Sequence, residues 1–284
     1  MSIQPETPYT LSMKNRNWWI YKVIKYSIMK VSYLLLIAII AVSTNVSFAQ
    51  VSDSVELIGG KTKEQIVNEY KSWSGMKNDW ANLARDQEEN SVLEAPKKRE
   101  KRVVFMGNSI IQGWKRQRPE FFELNPYICR GISGQTTPQM LLRFRQDVID
   151  LKPDVVVILA GTNDIAGNTG PSTLDMITGN IFSMIELAQA NNIKVVLCSV
   201  LPANEYRWRP EVKPADTIIE LNRLLESYAK KNKIPYVDYF SPMVDKEKGL
   251  KKEYSGDGVH PNQKGYTVME PLIKNEIDKV LKKG

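Results

Sequence analysis

Short unbroken apolar runs alternate with longer amphipathic stretches from residue 103 to the end of the chain. The apolar runs predict five strands, over 103–106, 127–130, 154–160, 194–200 and 235–238. The stretches between and after them predict helices over 110–114, 138–151, 174–191, 216–231 and 262–281. Strands that are apolar on both faces and alternate with helices form covered parallel sheets, so the pattern predicts an α/β domain with helices on both sides.

A helical extension is predicted before this domain. Five large apolar side chains recur near helical spacing between residues 62 and 89: Ile66, Tyr70, Trp73, Trp80 and Leu83. They predict one or two amphipathic helices that pack onto the main body, which we prefer to an aromatic ligand-binding stripe. The predicted organisation is a leader over 1–49, a helical N-terminal extension packed on the main domain over 50–102, and the main domain over 103–284.

The leader has the pattern of a secretory signal. Lys30 precedes an apolar run over 33–42, and Ser47 and Ala49 place small residues where a signal peptidase cleaves. Cleavage after Ala49 is therefore expected, with export to the bacterial periplasm or medium; Met29 is an alternative start to Met1. The run is shorter than the ~20 residues that a bilayer span needs, and no cysteine follows it, which argues against a permanent span and against a lipid anchor.

The formal net charge of +7 is concentrated in the leader. Residues 1–49 contain five basic residues and one acidic residue, so they contribute +4 and the rest of the chain +3. A balance this small predicts no polyanionic partner, and nucleic-acid binding is not expected. The chain is otherwise ordinary for a globular protein, with 42% hydrophobic and 25% charged residues among its 284.

The two cysteines, Cys129 and Cys198, both lie in apolar stretches that predict strands. We expect them to be small buried hydrophobes, with a disulfide as the alternative in an exported protein. Two separated cysteines and one histidine cannot assemble a usual zinc site, so no metal is expected.

Four polar clusters follow predicted strands. They are Ser109, residues 131–135, residues 161–164 and residues 255–261. The carboxyl ends of parallel strands meet at one edge of the sheet, where ligands bind in open α/β folds. If the strand order is 2-1-3-4-5, the first and third strands are neighbours, and Ser109 and Asn163 face one crevice.

Ser109 is a candidate nucleophile, and His260 is its candidate base. The alternative for Ser109 is a serine that caps the helix over 110–114. His260 is the only histidine in the chain, so no other imidazole can activate a serine. Asp257, three residues earlier, could orient the ring; the alternatives are a plain turn and a solvated surface histidine.

An acyl-transfer site also needs donors for the oxyanion. The candidates are the backbone N–H groups of Ser109 and Gly134 and the side-chain amide of Asn163. For Asn163 the alternative is a simple turn residue. Serine, glycine, asparagine and an aspartate three residues before a histidine each follow a predicted strand. Chance explains the four together much less readily than it explains any one of them.

The chain resembles the SGNH hydrolases, the GDSL esterase superfamily, in residues 107–110, 131–137, 161–164 and 257–261. Within that superfamily it is similar to the platelet-activating-factor-acetylhydrolase-like branch and related bacterial acylhydrolases. The resemblance implies a three-layer α/β/α, flavodoxin-like domain with a five-stranded parallel sheet in the order 2-1-3-4-5. It also implies a catalytic triad of Ser109, Asp257 and His260, and an oxyanion hole formed by Ser109, Gly134 and Asn163, with no cofactor.

One residue departs from the family pattern, since the usual aspartate before the serine is Asn108 here. Asparagine can make the same local turn hydrogen bonds, so activity is expected to survive with altered electrostatics at the helix start. The α/β-hydrolase fold is disfavoured because its nucleophile elbow needs glycine two residues after the serine, where this chain has Ile111.

These features predict a serine esterase that hydrolyses carboxylic esters through an acyl-enzyme. The branch resemblance implies short acyl groups, acetyl above all, and export suggests O-acetylated glycans or lipids as substrates. Trp114, Tyr206 and Trp208 could line the substrate pocket, or could pack in the core or at its rim. Two other functions stay open: an acyltransferase with the same triad and a glycan acceptor, and a non-catalytic glycan-binding protein. The oligomeric state is not predicted.

Overall fold

The computed structural model describes residues 62–282. The predicted signal peptide, its cleavage site and residues 50–61 lie outside the described residues. The chain divides into two compact units, Met1–Glu69 and Tyr70–Gly284. Among the helices described, none combines the length and apolar character that crossing a bilayer requires.

The described elements alternate between helix and strand after residue 102. The helices are α1 (Lys63–Asn78), α2 (Gln87–Val92), α3 (Ser109–Gln117), α4 (Pro119–Glu123), α5 (Thr137–Asp147), α6 (Thr162–Ile165), α7 (Leu174–Ala190), α8 (Ala215–Lys231), α9 (Phe240–Met243) and α10 (Gln263–Lys282). The strands are β1 (Val103–Gly107), β2 (Tyr127–Gly131), β3 (Val155–Leu159), β4 (Lys194–Cys198) and β5 (Tyr236–Val237). The three short helices α4, α6 and α9 were not predicted, because four or five residues are too few to show a helical period.

The five strands form one parallel sheet in the order β2-β1-β3-β4-β5, as predicted. Gly107, at the end of β1, pairs with Gly131 of β2 on one side and with Leu159 of β3 on the other. The strands β2, β1 and β3 therefore end at the same level. The loops that follow them start side by side at one edge of the sheet.

Successive side chains of β1 enter two different hydrophobic cores. Val104 and Met106 lie in the core between the sheet and the layer that contains α5, α7 and α8. Val103 and Phe105 lie in the core on the other face, which contains α3, α4 and α10. This alternation follows from the two-residue period of a strand, and it explains why the run is apolar throughout.

The start of the second predicted helix is fixed by a capping box. The Thr136 side chain and Gln139 satisfy each other's backbone N–H groups at the first turn of α5. The helix ends at Asp147 rather than at residue 151, because a separate 3₁₀ turn (Ile149–Leu151) follows and Lys152 adopts a left-handed conformation with φ of 52°. The prediction of one helix over 138–151 was therefore wrong at its carboxyl end.

Residues 79–94 join the main body through polar contacts. Trp80 and Leu83 are each 40% exposed and lie between α1 and α2, contrary to the expectation that both pack as helical core residues. Their backbone carbonyls instead accept hydrogen bonds from the Gln139 and Gln146 side chains of α5, at 2.6 Å each. Tyr70 is 64% exposed, and the side chain of Trp73 lies outside the described part of the chain.

Both cysteines are free, as the preferred interpretation held. Cys198 is buried on β4, whereas Cys129 is partly buried on β2, and two strands, β1 and β3, lie between them. Neighbouring strands are about 4.8 Å apart, so a separation of three strand spacings is far beyond the reach of a disulfide.

Asp164 ties α6 to the first turn of α5. Its Oδ1 accepts hydrogen bonds from the Thr137 hydroxyl at 2.6 Å and from the Thr137 N–H at 2.9 Å. Burial raises the pKa of Asp164 to about 6, even though these hydrogen bonds act to lower it. The carboxyl therefore holds its proton more tightly in the folded chain than in the unfolded chain.

Replacing Trp114 tests the core beneath α3. Its ring is fully buried and stacks on Phe121 at 4.9 Å and on Tyr266 at 5.3 Å between centroids. We expect Trp114→Ala to lower the free energy of unfolding by about 3–5 kcal/mol in urea denaturation, because it removes a large buried side chain. Leu124→Ala is the control, since that side chain is 82% exposed and its loss should cost less than about 0.5 kcal/mol.

Asp164 also gives stability a predictable pH dependence. Its folded-state pKa lies above its unfolded value, so the native state binds more protons between about pH 4 and pH 6, and this contribution to stability is lost as the pH rises through that window. Asp164→Asn keeps an Oδ1 acceptor but does not titrate. In urea titrations from pH 4 to pH 7, we expect the wild type to lose stability relative to Asp164→Asn; a constant difference between the two proteins would contradict this.

Candidate active site

Asn108, not Ser109, caps helix α3. The Asn108 Oδ1 accepts a hydrogen bond from the Ile110 N–H at 3.0 Å, which is the local turn bond expected of asparagine here. Ser109 is the first residue of the helix, so its hydroxyl is not used as the cap. The strand enters this turn through Gly107, where a Cβ would lie 2.5 Å from Ile111 Cγ1 and 2.8 Å from the Leu159 carbonyl oxygen. Only glycine fits that close approach.

The hydroxyl of Ser109 contacts the single histidine. Ser109 Oγ lies 2.9 Å from His260 Nε2, and His260 Nδ1 lies 2.7 Å from Asp257 Oδ2. An Nδ1–H that donates to the carboxylate leaves Nε2 as the acceptor for the serine proton. The three side chains therefore form a continuous hydrogen-bonded chain in the order that serine activation requires.

The Asp257 carboxylate is held in its charged form. Burial alone would raise its pKa, but the hydrogen bonds from the His260 N–H, the imidazole and the Val259 N–H bring the pKa down to about 2. Ser255 fixes the turn itself, because its Oγ donates to the His260 carbonyl at 2.8 Å and accepts from the Gly258 N–H at 3.0 Å. The loop thus presents a carboxylate and an imidazole in one fixed relation.

The loop after β2 is anchored beside the nucleophile. The Ser133 N–H donates to Gln112 Oε1 at 2.7 Å, and Gln112 lies one turn after Ser109 on α3. Gly134 has φ of +79°, in the left-handed region that favours glycine. Among the residues described, the N–H groups of Ser109 and Gly134 have no backbone or side-chain acceptor. Both remain available as oxyanion donors.

Asn163 joins this loop to the loop after β3. Its Nδ2 donates to the Gln135 carbonyl at 2.9 Å, and the side chain is almost fully buried. An amide nitrogen carries two hydrogens, so a second donor remains for a substrate. The predicted donors of the oxyanion hole therefore lie on loops that are bonded to one another.

The three aromatic candidates for the pocket wall separate into different roles. Trp114 is fully buried in the core beneath α3, so the expectation that it lines a pocket is wrong. Its position follows from the helix itself, because Ile110 and Ile111 share its inward face. Tyr206 is also fully buried, and its hydroxyl bonds with Thr162 Oγ1 at 2.8 Å.

Trp208 is the candidate that substrate can reach. The ring is 43% exposed, and its centroid lies 6.3 Å from that of His260. The ring of Tyr206 stacks against that of Trp208, with 5.0 Å between the centroids. The Trp208 Nε1 donates to Asn168 Oδ1 at 3.3 Å. Asn168 in turn donates to the Gly134 carbonyl at 3.1 Å. Trp208 therefore stands at the rim of the site with a fixed orientation.

Sequence reasoning did not identify Gln112, Asn168, Gln135 or Arg143, all of which support these loops. Gln112 could have been found, because it lies three residues after Ser109 on a helix and so near the same face. Arg143 could also have been noticed, because it is a charged residue that stands between the core residues Met140 and Phe144 of α5. Nothing in the local sequence around Asn168 or Gln135 indicates their contacts.

Two solved structures cover most of this chain. The first is a Bacteroides fragilis NCTC 9343 protein classed as an acylhydrolase, 55% identical, with a TM-score of 0.71 over 72% of this chain and 99% of that one. The second is a GDSL-like lipase from Bacteroides thetaiotaomicron VPI-5482, 58% identical, with a TM-score of 0.69 over 70% of this chain and 98% of that one.

Two curated proteins are similar over shorter stretches. Esterase TesA of Pseudomonas aeruginosa is 29% identical over 162 residues, which are 55% of this chain and 73% of that protein. The uncharacterized lipoprotein YqeF of Bacillus subtilis (strain 168) is 37% identical over 78 residues, 26% of this chain. That match spans only 32% of YqeF.

The profile of the GDSL-like Lipase/Acylhydrolase family matches residues 105–268. The match begins within β1, just before Ser109, and continues past His260 into α10, so it contains every residue of the hydrogen-bonded chain described above. It covers more than half of the sequence and confirms the resemblance found in the four sequence blocks. With its parallel sheet and with this arrangement of loops at the sheet edge, the chain belongs to the GDSL-like lipase/acylhydrolase family.

Proposed function

We propose that this protein is a serine esterase that hydrolyses short-chain carboxylic esters, acetyl esters above all, through an acyl-enzyme. The observation that carries the proposal is the continuous contact from Ser109 Oγ to His260 Nε2 at 2.9 Å and from His260 Nδ1 to Asp257 at 2.7 Å. Hydroxyl, imidazole and carboxylate in that order are the groups that activate a serine for acyl transfer.

In the first half of the reaction, Ser109 Oγ attacks the ester carbonyl while His260 Nε2 takes its proton. The imidazolium that forms is stabilised by Asp257, which stays ionised because its pKa is about 2. Negative charge develops on the carbonyl oxygen, where the N–H groups of Ser109 and Gly134 and the amide of Asn163 are the proposed donors. The tetrahedral intermediate then breaks down as His260 protonates the leaving alcohol, which leaves an acyl-serine.

In the second half, water replaces the alcohol. His260 takes a proton from water as the oxygen attacks the acyl-serine, and it returns that proton to Ser109 Oγ as the carboxylic acid leaves. The side chains of His260 and Asp257 are 37% and 40% exposed, so solvent reaches the base directly. This exposure favours hydrolysis over transfer to a second alcohol, which would need water to be excluded.

The rim of the site supports small acyl groups and a sugar-like alcohol. Trp208 stands beside His260, backed by Tyr206 and held by Asn168, so a flat apolar surface borders the point of reaction. Such a surface suits stacking against the apolar face of a sugar ring. We therefore propose O-acetylated glycans as the substrate class, ahead of lipid esters.

The proposed location is outside the cytoplasm, in the bacterial periplasm or the medium. It rests on the predicted signal peptide with cleavage after Ala49 and on the similarity of one stretch of the chain to a lipoprotein. Unlike a lipoprotein, this chain has no cysteine after the apolar run of its leader.

Removing the nucleophile is the direct test. We expect the wild type to hydrolyse p-nitrophenyl acetate faster than p-nitrophenyl esters of long acyl chains, and Ser109→Ala to lower kcat by at least about 10³-fold. A fluorophosphonate probe should label the wild type and Ser241→Ala, which replaces an exposed serine on α9, but not Ser109→Ala. Labelling that persists in Ser109→Ala, or turnover that needs a sugar acceptor and yields the acetylated sugar instead of free acetate, would contradict the proposal.

Removing the exposed ring tests the substrate class. Stacking contributes only when a sugar is bound, so Trp208→Ala should lower kcat/KM for a per-O-acetylated monosaccharide about tenfold and change that for p-nitrophenyl acetate less than about threefold. Leu124→Ala is the control, because Leu124 is also exposed, at 82%, and lies just before β2, at the opposite edge of the sheet from the site. Equal effects of Trp208→Ala on the two substrates would exclude sugar stacking.

A further inference from the structure

A buried charged cluster lies behind the proposed oxyanion hole and takes no part in the chemistry above. It consists of Arg143 and Asp147 on α5 and the side chain of Gln135, and is called here the Arg143 cluster. Arg143 and Asp147 have side-chain exposures of 0% and 1% and form an ion pair at 3.0 Å. Burying charges is costly unless every hydrogen-bonding group is satisfied, so the contacts of this cluster are informative.

Arg143 uses its guanidinium to hold the ends of two strands. Its two terminal nitrogens donate to the Gly107 carbonyl at 3.0 Å, the Arg130 carbonyl at 2.9 Å and Asp147. Its Nε donates to Gln135 Oε1 at 2.5 Å. The first two partners lie at the carboxyl ends of β1 and β2, two residues before Ser109 and four residues before Gly134.

Gln135 links this cluster to the donors of the hole. Its Oε1 accepts from Arg143, and its Nε2 donates to the Ala81 carbonyl at 2.7 Å. Its backbone carbonyl is the acceptor that orients the Asn163 amide, at 2.9 Å. The residue before it is Gly134, so one side chain held at both ends fixes the short backbone segment on which two of the three proposed donors depend.

We propose that Gln135 is a positioning residue for the oxyanion hole, held in place by Arg143 on one side and by the Ala81 carbonyl on the other. The inference rests on the esterase proposed above. Gln135 has no contact with Ser109 or His260, so it acts by orienting Gly134 and Asn163. Donors stabilise a developing oxyanion only when they are held to within about 0.5 Å of the productive position.

The proposal extends the working site beyond the stretch matched by the family profile. Ala81 lies before residue 105, and so does Asn90, whose Nδ2 donates to Asp147 at 2.8 Å. The segment 79–94 thus bonds the two residues that Arg143 bonds within the cluster: the Ala81 carbonyl accepts from Gln135, and Asn90 donates to Asp147. Its contribution is made through backbone carbonyls and one amide.

The test compares two buttressing glutamines. Gln135→Met removes both side-chain hydrogen bonds at similar volume. We expect kcat for p-nitrophenyl acetate to fall about tenfold or more, KM to stay within about threefold, and the affinity for a trifluoromethyl ketone, which mimics the tetrahedral intermediate, to fall with kcat. Gln146→Met is the matched control. Gln146 ties Leu83 to the same helix and reaches the Arg143 cluster only through a 3.3 Å bond to Asp147 Oδ1, which Asn90 also bonds at 2.8 Å, so the variant should leave kcat within about twofold.

A conservative variant separates positioning from general loss of structure. Gln135→Glu keeps the acceptor for Arg143 but loses the donor to the Ala81 carbonyl, so its kcat should lie between those of the wild type and Gln135→Met even if both variants lower the Tm. The proposal is overturned if Gln135→Met keeps kcat within about twofold of the wild type, if Gln146→Met loses as much, or if the glutamate variant is as impaired as the methionine variant.

Failure of the proposed function would look different. In that case the wild type itself would hydrolyse no ester and bind no fluorophosphonate at Ser109. The positioning role can then still be judged from crystal structures of the wild type and Gln135→Met, in which the Asn163 amide should shift by more than about 0.5 Å. An unchanged Asn163 amide would refute it.

Discussion

The site depends on how the peptide groups at the carboxyl edge of the sheet are satisfied. Where β1 and β2 end, the Ile132 N–H still donates to the Gly107 carbonyl at 3.2 Å, but the N–H groups of the turns that follow have no strand partner. Buried peptide groups must find other partners, and here polar side chains supply them. Arg143 takes two of the carbonyls, and Asn108 and Gln112 take N–H groups of the first two loops. The N–H groups of Ser109 and Gly134 are left over at the place where an oxyanion would form.

The charged half of the site is assembled by a different rule. Asp257 and His260 are three residues apart in one tight turn, and the carboxylate is satisfied by the backbone of that same turn. The pair is therefore oriented by local contacts, and the 2.9 Å bond from His260 to Ser109 joins it to a distant part of the chain. The groups proposed for proton transfer are thus positioned by hydrogen bonds within the final loop. The proposed oxyanion donors are positioned by side chains from several elements at the edge of the sheet, such as Arg143.

This division explains what the sequence could reveal. The strands follow from short apolar runs, and the candidates Ser109, Asp257 and His260 follow from polar residues at strand ends and from the presence of one histidine. The strand order followed from the family resemblance. The support of the oxyanion loop depends on where long side chains reach across the fold, and Arg143 bonding to Gly107 has no counterpart in local spacing. Trp114 could have been placed correctly, because it follows Ile110 and Ile111 at helical intervals, and that face had to be buried.

The same division bears on where substrate choice resides. In the proposed reaction, the hydrogen-bonded chain from Ser109 to Asp257 would act on any ester carbonyl, and the N–H donors would contact only the carbonyl oxygen. Neither group would then distinguish one alcohol from another. Trp208 is the residue proposed to distinguish alcohols, because its ring is exposed beside His260 and is part of neither the hydrogen-bonded chain nor the set of oxyanion donors. Its bond to Asn168, which also bonds the Gly134 carbonyl, ties the recognition surface to the oxyanion loop. The exposed ring at the rim and the loop that contains Gly134 are therefore joined by hydrogen bonds to one residue, Asn168.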